Sequence, residues 1–382
     1  MENTTLFNVQ NLEIGEIEND SLEDENLKTM TRLFMSKMIT CVCTHVIKTV
    51  SCITYDFEIF SFDITFEKIK KLEKTLSMFL RKEGVLISPS KTNAGFVVSV
   101  PHSEKMKINL GNCLNMQKTS SFSIPLGLDE QNNLVIADIK KLPHLLISGS
   151  TGSGKSVCMN GIISSIISQC SPKDVQLLLI DPKQVEFSIY DNLKYYLASP
   201  VITNPYRASE ALYTVCYNMD KRYREISKTG CRDIDEYNNK VDASRRYNRM
   251  IIIIDELADL MLKCKKEVES FLVRIAQLGR ACGVHLIVAT QRPSREVVTG
   301  LLKVNIPAKI CFKVPNSVNS RVILDRSGGE KLTGNGDGLF LNSDGSDVIR
   351  FQGAFVSTEE IENLIQHVNS TALKDKILGV LL

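Results

Sequence analysis

The sequence predicts an α/β protein in which a mostly parallel sheet is flanked by helices and preceded by a smaller α+β unit. Three observations carry this. The apolar run Leu145-Leu146-Ile147 leads into a glycine-rich turn, after which Ile162-Ile163 and Ile166-Ile167 recur at helical spacing, so strand, turn and helix follow one another. Val175 to Ile180 and Met250 to Ile254 are unbroken apolar runs of strand length, the pattern of parallel strands buried on both faces. From Phe122 onward, strand-like and helix-like stretches alternate.

In chain order, residues 1–25 read as an acidic flexible arm, and residues 26–120 as a small α+β domain with its linker. Leu33, Phe34, Met38 and Ile39 suggest a helix. Strands are expected at 46–55 and 57–64, and an amphipathic helix carries Ile69, Leu72, Leu76, Phe79 and Leu80 on one face. Gly95 to Val100 closes the unit as a strand, and 101–120 reads as a polar linker. Residues 121–382 form the larger domain. There, Val135 to Asp138 reads as a hairpin strand, Tyr206 to Lys228 as a long helix and 229–249 as a polar connection. His285 to Ala289 and Ala308 to Val314 read as further buried strands. A closing hairpin pairs Gly338 to Leu341 with Val348 to Gln352, and a last helix spans Thr358 to Val368.

The 382 residues are 43% hydrophobic and 24% charged, ordinary for a globular protein, and the net charge of +2 points to no particular partner. Its distribution says more. The first 30 residues hold eight acidic groups against Lys28, which leaves 45 basic and 36 acidic groups in the rest, a net of +9. Such a body tolerates a polyanion. Eleven cysteines are scattered from Cys41 to Cys311 with no C-x-x-C pair, which fits free thiols in a reducing, cytoplasmic compartment rather than a disulfide framework or zinc site. No apolar stretch is long enough to span a bilayer.

The chemistry concentrates at strand ends. Gly149-Ser150-Thr151-Gly152-Ser153-Gly154-Lys155-Ser156 fits the phosphate-binding pattern G-x-x-x-x-G-K-[ST]. Glycines let backbone N–H groups turn inward, and with the following helix N-terminus they present positive charge to phosphate oxygens. Lys155 is placed for the β- and γ-phosphates of ATP and Ser156 for Mg²⁺. The run Met250 to Ile254 delivers Asp255 and Glu256 to the same edge, Asp255 as a Mg²⁺ partner and Glu256 to polarise water. The strand 285–289 ends in Thr290-Gln291-Arg292-Pro293, which puts Gln291 where it can sense a γ-phosphate.

These residues lie within longer stretches that resemble the FtsK/SpoIIIE-type DNA translocases of the RecA-like, HerA-related motor ATPases. The stretches are LPHLLISGSTGSGKSVCMNGII (142–163), LLLIDPKQVEF (177–187), IIIIDELADLM (251–261), GRACGVHLIVATQRPSREVVTGLLKVNIPAKICF (279–312) and SRVILDRSGGEKLTGNGDGLF (320–340). The resemblance implies a RecA-like P-loop NTPase core, a ring, expected to be a hexamer, around double-stranded DNA, and ATP held between subunits. It aligns Arg280 with a trans-acting arginine finger, a group worth roughly 10³–10⁵ in rate, with Arg321 as second candidate. Ser317 stands where the family often has a lysine and Lys309 where an arginine is usual. The absence of a membrane-spanning N-terminus and of a C-terminal winged helix points to a minimal motor, as on a mobile element. The sequence leaves two alternatives open: a coupling or secretion-type ATPase moving protein or protein–DNA cargo, and a nucleic-acid-binding initiator that uses ATP only to assemble.

Overall fold

A computed structural model describes residues 6–7, 15–16, 25–49, 52–61, 64–90, 92–102, 107–117, 122–343 and 348–381, with side chains to residue 372. The expected acidic arm lies almost wholly outside the described residues. The chain divides into two compact units, Gln10–Ile108 with Leu128–Leu134, and Asn109–Gly127 with Val135–Leu382 together with the first nine residues.

The smaller unit is a five-stranded sheet with helices. Its elements are β1 (Gly15–Glu16), α1 (Glu25–Ser36), β2 (Cys41–Lys48), β3 (Cys52–Ile59), α2 (Phe66–Lys70), α3 (Glu73–Leu80), β4 (Leu86–Pro89) and β5 (Gly95–Pro101), and the strand order is β1-β2-β3-β5-β4. All its pairings are antiparallel. The core is an aromatic triad. Phe34 of α1 stands edge-on to Phe57 and Phe96 at 5.2 and 5.1 Å, and those two rings stack at 5.3 Å across β3 and β5. Strands β2 and β3 begin earlier than the expected 46–55 and 57–64: β2 ends at Lys48 and β3 starts at Cys52, with the Thr49 hydroxyl donating to the Cys52 carbonyl at 2.8 Å. The expected single basic helix is broken at Lys71-Leu72 into α2 and α3.

The larger unit adds β6 (Ile108–Asn109), α4 (Leu110–Met116), β7 (Ser123–Asp129), β8 (Leu134–Asp138), β9 (His144–Ser148), α5 (Lys155–Gln169), β10 (Val175–Ile180), α6 (Pro205–Lys228), α7 (Ile234–Lys240), β11 (Arg249–Ile254), α8 (Leu257–Cys282), β12 (Val284–Thr290), α9 (Gly300–Asn305), β13 (Ala308–Phe312), α10 (Ser317–Leu324), β14 (Asp337–Leu341), β15 (Ile349–Phe355) and α11 (Thr358–Leu381). Its sheet runs β10-β11-β12-β9-β13-β14-β15-β7-β8, with β6 beside β15. The five strands from β10 to β13 are mutually parallel, and β14 and β15 continue antiparallel. The fold is the α/β class the sequence predicts. Ile251 to Ile254 are fully buried, as strands covered by helices on both faces require. Helix α5 is buried through Ile162, Ile163, Ile166 and Ile167.

Two stretches read as linkers are structured. Within 101–120, Leu110, Cys113 and Leu114 fall at i, i+3 and i+4 and bury one face of α4, a pattern masked by the intervening Asn109 and Asn112. Within 229–249, α7 starts at an Asp233 cap that accepts from the N–H groups of Asp235 and Glu236, and it buries Ile234 and Tyr237. No helix among the described residues is long and apolar enough to cross a membrane. All eleven cysteines are thiols.

The triad carries a prediction. Phe57→Ala removes a ring that both Phe34 and Phe96 touch, and is expected to destabilise the smaller unit by about 3–5 kcal/mol. The check is a lower midpoint in urea unfolding.

Candidate functional site

The parallel register brings five strand ends to one edge. Ile180 pairs with Ile254, Ile254 with Val288, Thr290 with Ser148, and Ser148 with Cys311. The loops leaving β9, β10, β11 and β12 therefore open beside one another, where ligand chemistry collects in such sheets.

The loop after β9 is shaped by glycine at two points. Gly154 has φ +113, and a Cβ there would meet the backbone of Gly336 at 2.6 Å. Gly152, with φ +75, takes a conformation that L side chains avoid. A second turn seats on this loop: Gly336 N donates to Ser153 O at 2.9 Å and Asn335 N to Gly152 O at 3.3 Å. That turn is braced by Asp337, which accepts from Thr333 N at 2.8 Å and pairs with Arg350 at 2.9 Å. Ser150 donates its N–H and its hydroxyl to Lys313 O at the end of β13, both at 2.9 Å. Gly149 N bonds Thr290 O at 3.4 Å.

Lys155 opens α5 with its ammonium buried. Nζ donates to Asp255 Oδ1 at 2.5 Å and to the Asp255 carbonyl at 2.9 Å. The side chains are 2% and 1% exposed. Burial pushes the Asp255 carboxyl above the usual carboxylate range. The Lys155 charge opposes that shift, and the nearby carboxylates of Glu186 and Asp181 add to it. Asp255 Oδ2 is buried and accepts no hydrogen bond. A carboxylate oxygen left so, on the partner of Lys155, with Ser156 the next residue in α5, has the donor chemistry a divalent cation needs.

Glu256 is held from several sides. Oε1 accepts from Thr290 Oγ1 at 2.6 Å, from Ala258 N at 3.3 Å and from Gln291 N at 3.3 Å, and Oε2 from Gln291 N at 3.1 Å. Lys183 Nζ completes Oε2 at 3.2 Å. Glu256 also caps α8. Gln291 turns its side chain to the phosphate loop, where Oε1 accepts from Thr151 Oγ1 at 3.3 Å.

Lys155, Ser156, Asp255, Glu256, Gln291 and the loop 149–154 thus gather at one edge. Arg280 does not join them. It lies exposed in the last turn of α8, at the opposite end of that helix from Glu256, with the break at Cys264 between them. Arg321 is exposed on α10, with its carbonyl bonded by Lys303. Ser317 is the first residue of α10, and Lys309 is buried in β13, where desolvation lowers its pKa.

The sequence reading missed Asp181, Lys183, Glu186 and Thr290 as participants. Asp181, buried at the end of β10, accepts five backbone N–H groups: Lys183 and Gln184 on Oδ1 at 3.1 Å each, and Val185, Glu186 and Phe187 on Oδ2 at 2.9–3.0 Å. The loop wound round this carboxylate delivers Lys183 to Glu256, and Glu186 to the Ser156 hydroxyl at 2.5 Å. The placement of Asp181-Pro182-Lys183 at a strand end was the available signal.

The glycine loop, its lysine and the acidic strand end on a parallel sheet define a P-loop NTPase core. Residues 114–295 match the FtsK/SpoIIIE family model, so the chain carries a domain of that family. It is 38% identical over 361 residues to the DNA translocase FtsK of Streptomyces avermitilis, covering 90% of this chain and 40% of that protein. It is 41% identical over 316 residues to the DNA translocase SpoIIIE of Bacillus subtilis, covering 79% and 40%. The chain thus spans about two fifths of these relatives' length. Among solved structures, the pCW3 conjugation coupling protein TcpA with ATPγS superposes at TM-score 0.64 and 23% identity over 91% of this chain and all of that one. The Thermomonospora curvata type VII secretion ATPase EccC does so at 0.59 and 23% over 66% and 31%. At these identities the likeness speaks to the fold alone.

Charge-assisted hydrogen bonds of this kind contribute about 1.5–3 kcal/mol each. Asp181→Ala is therefore expected to leave the sheet folded while loop 183–187 loses order. The check is amide hydrogen exchange, with protection there falling by at least about tenfold.

Proposed function

We propose that this chain is the motor of an ATP-hydrolysing double-stranded DNA translocase that works as a ring, with ATP bound at the edge where β9 and β11 end. The observation that carries this is the meeting of Lys155, Ser156, Asp255, Glu256 and Gln291 around one glycine loop. The FtsK/SpoIIIE domain and the relatives named as DNA translocases support the cargo.

In this reading the N–H groups of loop 149–154 and the start of α5 hold the phosphates, and Lys155 exchanges part of its bonding to Asp255 for phosphate oxygens. Ser156 and Asp255 would hold Mg²⁺, which neutralises charge on the β- and γ-oxygens. Glu256 takes the proton of the attacking water as the new P–O bond forms and the bridge to the β-phosphate breaks. Gln291, tied to Thr151, reports the γ-phosphate to β12. Arg280 lies too far along α8 to serve its own pocket, which supports a role in a neighbouring copy's pocket. That is the reason for preferring a ring to a monomer.

Lys155→Ala and Glu256→Gln are expected to lower turnover by about 10²-fold or more, and duplex DNA to stimulate the wild type in a salt-dependent manner. Steady-state ATP hydrolysis with and without duplex DNA, with triplex displacement as the translocation readout, is the test. Turnover indifferent to DNA and salt overturns the cargo. Arg280→Ala mixed with Lys155→Ala tests the neighbour's arginine. Mixed assemblies, in which an intact arginine can meet an intact lysine loop, are expected to recover turnover that neither variant shows alone.

A further inference from the structure

Lys183 is a cation at the pocket to which hydrolysis, as described, gives no part. We propose that Lys183 masks Glu256, so that loop 182–187 gates hydrolysis until duplex DNA engages the motor. This deepens the hydrolase reading above and rests on it.

The two oxygens of Glu256 are treated differently. Oε1 is fixed by Thr290, Ala258 and Gln291, two of them through backbone N–H groups. These bonds orient the carboxylate without help from Lys183. Oε2 has only Gln291 N at 3.1 Å and Lys183 Nζ at 3.2 Å. Gln291 N is shared with Oε1, so Lys183 Nζ takes the side of Oε2 on which a water would donate its proton. Gln291 N is fixed at a strand end. Lys183, with 36% of its side chain exposed, is the partner able to leave.

The loop around Lys183 suits a device with two arrangements. It is held by the Asp181 carboxylate rather than by packing at its tip, where Val185 is 67% exposed. Gln184 sits in the left-handed region at φ 58, an uncommon conformation for a residue with a side chain and one that clusters in switch regions. The same segment engages Ser156 through Glu186. One movement of the loop therefore changes the surroundings of both the water-activating and the metal-side groups.

The test compares Lys183→Met and Lys183→Arg with wild type in ATP turnover, with and without duplex DNA, and in affinity for a fluorescent ADP analogue with Mg²⁺. Lys183→Met is expected to raise the DNA-free rate by about tenfold, to shrink the stimulation by DNA, and to leave nucleotide affinity unchanged. Lys183→Arg, which keeps the cation, is expected to turn over more slowly without DNA than Lys183→Met. A DNA-free rate that stays level or falls in Lys183→Met overturns the mask. So does weakened nucleotide affinity, which would make Lys183 a phosphate ligand. A wild type that hydrolyses ATP indifferently to DNA would instead sink the translocase reading, and the DNA-free comparison would still decide the mask. Should Lys183→Met fail to fold, Lys183→Gln carries the same comparison.

Discussion

The buried contact between Lys155 and Asp255 is the constraint around which the larger unit is arranged. It joins the glycine loop after β9 to the end of β11 across the intervening strand β12. A lone charge at either position would be costly, and the pair is tolerated because each partner answers the other. Such pairs contribute little net stability. What the pair does is hold the lysine of the glycine loop and the carboxylate at the end of β11 together in a nearly dry place, where electrostatic interactions are strong. The cost shows in the direction of the Asp255 pKa, which burial raises despite the ammonium beside it.

Around that contact the pocket is built largely from backbone. Asp181 collects five N–H groups, and the turn at Asn335-Gly336 bonds carbonyls of the phosphate loop. Glu256 is fixed by two main-chain donors and one hydroxyl. Each of these loops takes its shape from a carboxylate or from a close glycine approach. The strands are set by apolar burial, and the rim by polar contacts.

That division explains what the sequence disclosed. The buried strands advertise themselves, since Ile251 to Ile254 and Leu177 to Ile180 are unbroken apolar runs, and the phosphate loop has a fixed spelling. Asp255 and Glu256 follow because they end such a run. Asp181 ends one too, but its task is to gather N–H groups, and backbone donors leave no mark on composition. Lys183 and Glu186 were invisible because their partners lie 73 and 30 residues away. Helix α4 hid behind two asparagines and α7 inside a polar stretch, since short helices bury only a few residues. The shift of β2 and β3 goes with a threonine hydroxyl that joins the end of one to the start of the other, which periodicity does not register.

Helix α8 connects these levels. Its first turn is capped by Glu256, and its last turn presents Arg280 to solvent. Between them the backbone departs from helical angles at Cys264 (φ −136, ψ 44), so the element is two rigid rods with one joint. In a ring, the end carrying the acidic pair would belong to one pocket and the end carrying the arginine to the next. A change in how Glu256 is held would then bear on the first rod and, through the joint at Cys264, on the second, whose far end would serve a neighbour. The coupling would be mechanical and short, needing one helix and one joint. On this view the grip of Lys183 on Glu256 bears on the timing of a neighbouring pocket as well as on hydrolysis in its own.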